Sequence, residues 1–394
     1  MSSEIKTEKN VFILGAGFSR KANMPLIRDF LIKSREAIPW LEQYQRIKEV
    51  DSIMQVFNYR KSSASTGYYC SIDLENIEEL FSLASADPDR NDLDEKIRTA
   101  ICSTIDYCAS TSKPGFVCVS KPGHLPSSDN WQPFNGTGIH SFYQNDSAGT
   151  FYKIPLYTYY ISLIINLFNN NKSDDSIITF NYDLLIENAA RSINLKIDYS
   201  IPDENIKIKP SWVAPISNNS IRLLKLHGST NWSYSDKKLS IYDDYSSLYT
   251  SDMIPFIVPP TWRKNMDGPL SHVWRSAIDE LKNASQIIFI GFSMPETDFY
   301  IKFLISLGLK ENINLTKVIF VNPIDNVDEQ KIIIDRFKKK FGDQVFRLEL
   351  FKPYWMKAEH FFMNFSGDVF HTYGVDPLSR RKLQIIRANV EYMD

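Results

Sequence analysis

Nothing in this sequence sets two cysteines at Cys-x-x-Cys spacing. The four cysteines, Cys70, Cys102, Cys108 and Cys118, are scattered. A structural zinc site draws its thiolates in close pairs, so a four-thiolate site is not expected. Cysteine this sparse fits a reducing cytoplasm. A basic excess is also missing, since the net charge is −2. A chain whose task was to grip DNA would carry a cationic surplus, so strong direct nucleic-acid binding is not expected. The short runs Lys338-Lys339-Lys340 and Arg380-Arg381-Lys382 read as solvated faces. Long apolar runs are absent too. The longest, Ile154 to Phe168, contains Pro155 and several tyrosines, is short for a membrane span, and reads as a buried helix. The opening MSSEIKTEKN has no signal-peptide core, so a cytoplasmic protein with no membrane contact is expected.

What remains is an ordinary globular composition. With 43% hydrophobic and 23% charged residues, long disorder is not expected. A length of 394 residues suffices for a large α/β core with an added subdomain, or for two domains. Val11-Phe12-Ile13-Leu14 is an apolar run ending at Gly15 and reads as a buried strand. Phe18 to about Arg35 reads as helix, broken or restarted at Pro25. Residues 73–85 and 91–109 carry helical spacing, whereas Thr111 to Thr150 is rich in Ser, Pro, Gly and Asn and reads as a long loop. Apolar strand candidates then recur at Ile177–Phe180, Arg222–Leu226, Ile287–Ile290, Val318–Val321 and Val345–Leu350. Helices are expected near 183–192, 298–307 and 328–341. Strands alternating with helices predict an α/β fold, a Rossmann-like doubly wound parallel sheet with a mainly helical insertion. The expected division is a core of residues 1–39 and 166–352, an insertion at 40–165, and a C-terminal appendage at 353–394. No internal repeat is visible.

Five strand ends carry small or polar residues. Gly15-Ala16-Gly17-Phe18-Ser19 follows the first strand, where glycines let a backbone approach a pyrophosphate. The segment lacks the Lys-Ser/Thr ending of a P-loop, which disfavours triphosphate hydrolysis. Thr179-Phe180-Asn181-Tyr182-Asp183 ends the second; here Asp183 could equally cap the next helix. Leu226-His227-Gly228 places one histidine at a third strand end, Gly291-Phe292-Ser293-Met294 follows a fourth with Asp298 entering the next helix, and Asn322-Pro323 follows a fifth. His124, His140, His272, His360 and His371 lie in no such context and read as structural. Each motif alone is weak, but Gly15, Asn181, His227, Gly291 and Asn322 together mark one edge of one sheet, where a dinucleotide would lie.

This ordered set resembles the sirtuin (silent information regulator two) superfamily, whose motifs are a GAG-S loop, a T-x-N-x-D segment, an H-G pair, a G-x-S turn and a late asparagine. All five occur here, in that order, between residues 11 and 323. The wording FNYD, KLHGS and GFSMPETD, and the helix around 73–81, is closer to the bacterial antiphage-defence NAD hydrolase branch than to the protein deacylases. The resemblance implies that Gly15, Ala16, Gly17 and Ser19 cradle the NAD phosphates and that Asn181 holds the nicotinamide ribose and helps place water. It implies that Asp183 contacts the nicotinamide amide and His227 is the general base. Gly291 and Ser293 would line the phosphate and adenine-ribose side, with Asn322 near the adenosine. Two departures stand out. The deacylases' zinc module is missing, so no zinc is expected. Their G-I-P-D-F-R loop survives here only as the proline of 23–28, which leaves the role of Arg28 and acyl-lysine chemistry in doubt.

The resemblance therefore implies hydrolysis of NAD to nicotinamide and ADP-ribose, depleting NAD in an abortive-infection response. A protein deacylase or ADP-ribosyltransferase, and a non-catalytic NAD- or ADP-ribose-binding module, remain alternatives. An unrestrained NAD hydrolase would kill its host, so a gate is expected. The resemblance suggests a homo-oligomer and a hexameric HerA-like ATPase partner, with a short Argonaute or a nucleotide-signal system as alternatives.

Overall fold

A computed structural model of the chain describes residues 9–90, 92–113, 115–120, 140–143, 150–165, 174–217, 219–261, 268–294 and 299–362. The chain opens with β1 (Asn10–Leu14), buried along its whole length. The segment after it, expected as helix broken or restarted at Pro25, is indeed split. A 3-10 helix spans Ala16–Ala22 and ends at Asn23 in the left-handed region, with φ 57°. Pro25 occupies the link, and a second 3-10 turn, Ile27–Asp29, leads into α1 (Phe30–Gln43). Pro25 has no amide hydrogen to give a helix, so the break falls there.

The stretch expected as an insertion contains α2 (Ile47–Ser62), α3 (Ile77–Ala86) and α4 (Leu93–Thr111). Asn76 starts α3 by accepting from the Glu78 amide at 3.0 Å, as an N-cap should. Arg46 clamps the group. It donates to Glu49 at 2.8 Å and to Asp106 on α4 at 2.5 Å, and its guanidinium lies 5.3 Å from the Tyr245 ring. The stretch Thr111 to Thr150 is not wholly a loop. It contributes β2 (Phe116–Ser120), β3 (His140–Tyr143) and the start of β4 (Thr150–Pro155), an antiparallel sheet in the order β2-β4-β3. Residues 121–139 and 144–149 lie outside the described residues. The apolar run after Pro155 is α5 (Leu156–Ile164), buried on every side. Among the described residues no helix is long and apolar enough to cross a membrane.

Next come β5 (Ser176–Thr179), α6 (Leu185–Ser192), β6 (Lys196–Asp198), β7 (Ile206–Ile208) and β8 (Ser220–Lys225). There follow β9 (Trp232–Ser235), β10 (Lys238–Ile241), α7 (Tyr245–Thr250) and α8 (Pro269–Asn283). The last elements are β11 (Gln286–Ile290), α9 (Phe299–Leu309), β12 (Lys317–Val321), α10 (Val327–Phe341), α11 (Asp343–Arg347) and β13 (Phe351–Tyr354). Asp298 lies outside the described residues. Val345–Leu350, read above as a strand, is instead largely α11 and its exit turn, and the edge strand comes after it. Its Val/Phe/Leu alternation suits either element. The strand tolerates Pro353 because it lies at the sheet edge, where one side needs no ladder.

Seven strands form one sheet in the order β13-β12-β11-β1-β5-β8-β6. Every pairing in it is parallel. β1, β5 and β11 are buried on both faces, which is why they read as unbroken apolar runs. From β1 the chain builds outward on one side, then returns to build on the other from β11. The order therefore reverses between β1 and β11, and a crevice opens at the C-terminal strand ends there. A separate small sheet has the order β7-β10-β9. Past β13, Phe361 and Phe362 are buried against the core, and residues 363–394 of the expected appendage, with the Arg380-Arg381-Lys382 run, lie outside the described residues.

Candidate active site

The crevice floor is made of two turns locked together. The Gly15 amide donates to the Ile290 carbonyl at 3.0 Å, and the Gly17 amide donates to the Gly291 carbonyl at 2.9 Å. Gly291 itself has φ +63°, and a Cβ there would sit 2.1 Å from the Phe18 nitrogen. A Cβ on Gly15 would reach the Gly291 carbonyl oxygen at 2.6 Å. These glycines are thus required by the approach of one turn to the other, as well as by any ligand above them.

The loop after β5 is pinned from several directions. Thr179 donates its hydroxyl to the Leu14 carbonyl at 3.1 Å and accepts from the Asn181 amide at 3.1 Å. The Asn181 side chain donates through Nδ2 to the Gly15 carbonyl at 2.9 Å and to Ser19 Oγ at 3.0 Å. A carbonyl can only accept, so the side-chain amino group must face Gly15, which leaves Oδ1 to accept from a molecule in the cleft. Ser19 in turn donates to Asp183 Oδ2 at 2.7 Å. Asp183 Oδ1 accepts from the Leu185 amide at 3.1 Å, so Asp183 does help start α6. Below the loop lies a buried ion pair. Lys225 and Glu187, each 1% exposed, meet at 2.9 Å. Lys225 Nζ also donates to the carbonyls of Asp183 at 2.5 Å and Tyr182 at 3.3 Å.

His227 emerges just past β8 and is largely buried. Its ring meets the Phe180 ring edge-on at 5.1 Å and lies 6.2 Å from Tyr182 at an interplanar angle of 30°. Its carbonyl accepts from Val258 at 2.9 Å, and Tyr182 donates its hydroxyl to the Val258 carbonyl at 2.7 Å. Leu226, one residue earlier, is held by Trp274, whose indole donates to its carbonyl at 3.0 Å. The imidazole is therefore flanked by two rings of the loop after β5, while Val258 and Trp274 hold the main chain on either side of it.

Gly15, Ala16, Gly17, Asn181, His227, Gly291, Ser293 and Asn322 all line one cleft of about 730 Å³, a size typical of small-molecule and cofactor sites. Ser19 and Asp183 do not line it. They border an adjoining, mostly apolar pocket of about 110 Å³ with Phe30, Ile101 and Ile105, and Asn181 stands at the junction of the two. Asn322 donates to the Phe292 carbonyl at 3.2 Å, and Arg336 approaches the Ser293 carbonyl at 3.4 Å. The cleft also brings in residues that no motif indicated: Arg20, Lys21, Glu78, Tyr160, Glu329, Lys357 and Glu359, together with Arg28. For Arg20 and Lys21 the signal was available, since they follow the glycine turn directly. Of the other histidines, His272 contacts Asn205 at 3.1 Å away from the cleft, while His124 and His371 lie outside the described residues. Among the described residues no cluster of His, Cys, Asp and Glu could hold a metal ion.

Residues 175–341, which carry Asn181, His227, Gly291 and Asn322, match the family model of the SIR2-like domain. The match supports the sirtuin-like resemblance over that stretch. No curated protein sequence matches the chain. Among solved structures, the chain is similar to Sir2Tm bound to a propionylated peptide, at 14% identity over 94% of this chain and 95% of that one, TM-score 0.36. It is similar to a mutant Sir2 homologue in complex with 2'-O-acetyl ADP ribose, at 13% identity over 94% and 96%, TM-score 0.43. It is also similar to Sir2 bound to acetylated peptide, at 14% identity over 94% and 95%, TM-score 0.36.

Proposed function

We propose that the chain cleaves NAD at its nicotinamide–ribose bond, giving nicotinamide and ADP-ribose. The observation that carries this reading is one cleft bordered by the Asn181 amide, the His227 ring and a glycine-turn floor. The scissile bond breaks with oxocarbenium character at the ribose carbon, as in glycoside hydrolysis. Nicotinamide leaves as a neutral molecule because it starts as a pyridinium, so no general acid is needed. The site has to orient the ribose and accept a proton from water or a ribose hydroxyl. Asn181 Oδ1 supplies the orienting acceptor, and a neutral imidazole suits the proton transfer near pH 7. The apolar pocket beside Asn181 and Asp183 would take the flat nicotinamide ring, and the backbone of the glycine turn would face the diphosphate.

The test is incubation of the purified chain with NAD and chromatography of the products. His227→Ala and Asn181→Ala should each slow NAD loss by about 10²-fold or more. Undiminished hydrolysis by either variant removes that residue from the mechanism. NAD bound but left intact would point to a sensor module, and a product that forms only with an acyl-lysine peptide or a protein acceptor would point to a deacylase or transferase. In a cell, such turnover would deplete NAD as an antiviral response, gated by homo-oligomer assembly and by a HerA-like hexameric ATPase. Titrating turnover with and without that ATPase tests the gate.

A further inference from the structure

Both cations that follow the glycine turn are paired with carboxylates of the same chain. Arg20 pairs with Asp29, a local partner. Lys21 pairs at 3.5 Å with Glu359, which lies beyond the last strand of the sheet. Lys21 and Glu359 both line the cleft, beside Gly15 and Gly17. Neither side chain is sealed off, at 36% and 15% exposed. The segment bearing Glu359 is anchored rather than loose. Phe361 and Phe362 are buried, and Phe362 stacks on Tyr160 at 4.5 Å and 21°. Tyr160 in turn lies 5.7 Å from Phe18, the residue after Gly17. The Tyr160 phenol is held well above its ordinary range by burial and then by the charge of Glu359.

We propose that Glu359 is an internal anion that neutralises Lys21 in place of a substrate diphosphate and has to leave when a dinucleotide binds. The inference rests on the dinucleotide reading given above. A diphosphate brings more negative charge and more acceptor oxygens than one carboxylate, so it can displace Glu359 at the cost of one partly exposed ion pair. Linkage makes the effect reciprocal. Whatever draws the Glu359 carboxylate away from Lys21 strengthens diphosphate binding, and a bound diphosphate frees that carboxylate, while Phe361 and Phe362 stay buried. Regulation of the site through its C-terminal segment follows without any contact to the reacting atoms.

ADP is the probe, because it carries the diphosphate without nicotinamide. Calorimetric titration of the full chain should show Glu359→Gln binding ADP about two- to fivefold more tightly than the unaltered protein, the size of a partly exposed ion pair. Adenosine, with no phosphate, should bind both equally. Glu359→Ala should move ADP affinity in the same direction, and adding Lys21→Gln to Glu359→Gln should abolish the gain. Unchanged or weaker ADP binding by both Glu359 variants, no ADP binding at all, an equal gain for adenosine, or a gain that survives loss of Lys21 would each overturn the proposal. NAD turnover measured in parallel keeps the two readings apart. Tighter ADP binding with no NAD cleavage sinks the cleavage reading alone, and NAD cleavage with equal ADP affinities sinks the internal anion alone.

Discussion

Ser19→Ala deletes the hydroxyl at the centre of the Asn181–Ser19–Asp183 relay. Ser19 is 2% exposed and borders the apolar pocket, not the main cleft. Its hydroxyl donates to a carboxylate at 2.7 Å, and a hydrogen bond to a charged group contributes about 1.5–3 kcal/mol. Asp183 keeps the Leu185 amide on its other oxygen, so the loss should fall at the lower end, about 1.5–2 kcal/mol in a urea melt. Asn181 keeps the Gly15 carbonyl and hence its orientation, but it loses its lateral restraint from Ser19. A fall in kcat of about tenfold, equivalent to about 1.4 kcal/mol of barrier, is expected. KM for NAD should move less than about twofold, since the hydroxyl's hydrogen bonds are with Asn181 and Asp183 and the pocket wall loses only one small polar atom. Steady-state NAD hydrolysis gives both constants. A KM raised about tenfold with kcat intact would show that Ser19 touches the phosphates directly, and the relay argument would fall.

Gly291→Ala should cost far more than Gly342→Ala, although both glycines have positive φ. The first puts a Cβ 2.1 Å from the Phe18 nitrogen and the second meets nothing within 4 Å. Thermal melts should show about 1–3 kcal/mol for Gly342, from its backbone conformation alone, and a larger loss for Gly291, and equal shifts would refute the interlocked turns. Lys225→Met strands the Glu187 charge in the interior and should destabilise by about 3–5 kcal/mol, while the Lys225→Met/Glu187→Met pair should lose less. A double-mutant cycle by denaturant melts checks this, and a single variant as stable as the parent would contradict it. Burial pushes the Cys108 thiol up to about 12 and raises Cys102 well above its ordinary 9, so both stay protonated at about pH 8. Of Cys70, Cys102 and Cys108, iodoacetamide should label only the exposed Cys70 in the folded protein, as read by peptide mass spectrometry.

The ends of β1, β11 and β12 were legible because buried parallel strands read as apolar runs, and a small or polar residue follows Leu14, Ile290 and Val321 directly. The ends of β5 and β8 lie within buried chain and were marked by Asn181 and His227 instead. The partners of side chains were not legible. Nothing near Ser19 in sequence announces Asp183, which is 164 residues away, and nothing near Glu359 announces Lys21. Short strands such as Lys196–Asp198 and Ile206–Ile208 carry too few residues to show a period, and the stretch that holds β2 to β4 is polar enough to pass for loop. At Asp183 the structure shows the capping role, and the contact to a nicotinamide amide stays a proposal. The residue helps start a helix and it anchors a relay to Asn181.

With main chain meeting main chain at Gly15, Gly17 and Gly291, that part of the floor has no side chain of its own to be trimmed or swapped. Drift in what the protein accepts would then come from the walls, at positions such as Lys21, Tyr182 or Asn322, each change carrying with it the partner that side chain now holds. The base then serves as a fixed reference plane, and altered ligand preference becomes a matter of redecorating the rim.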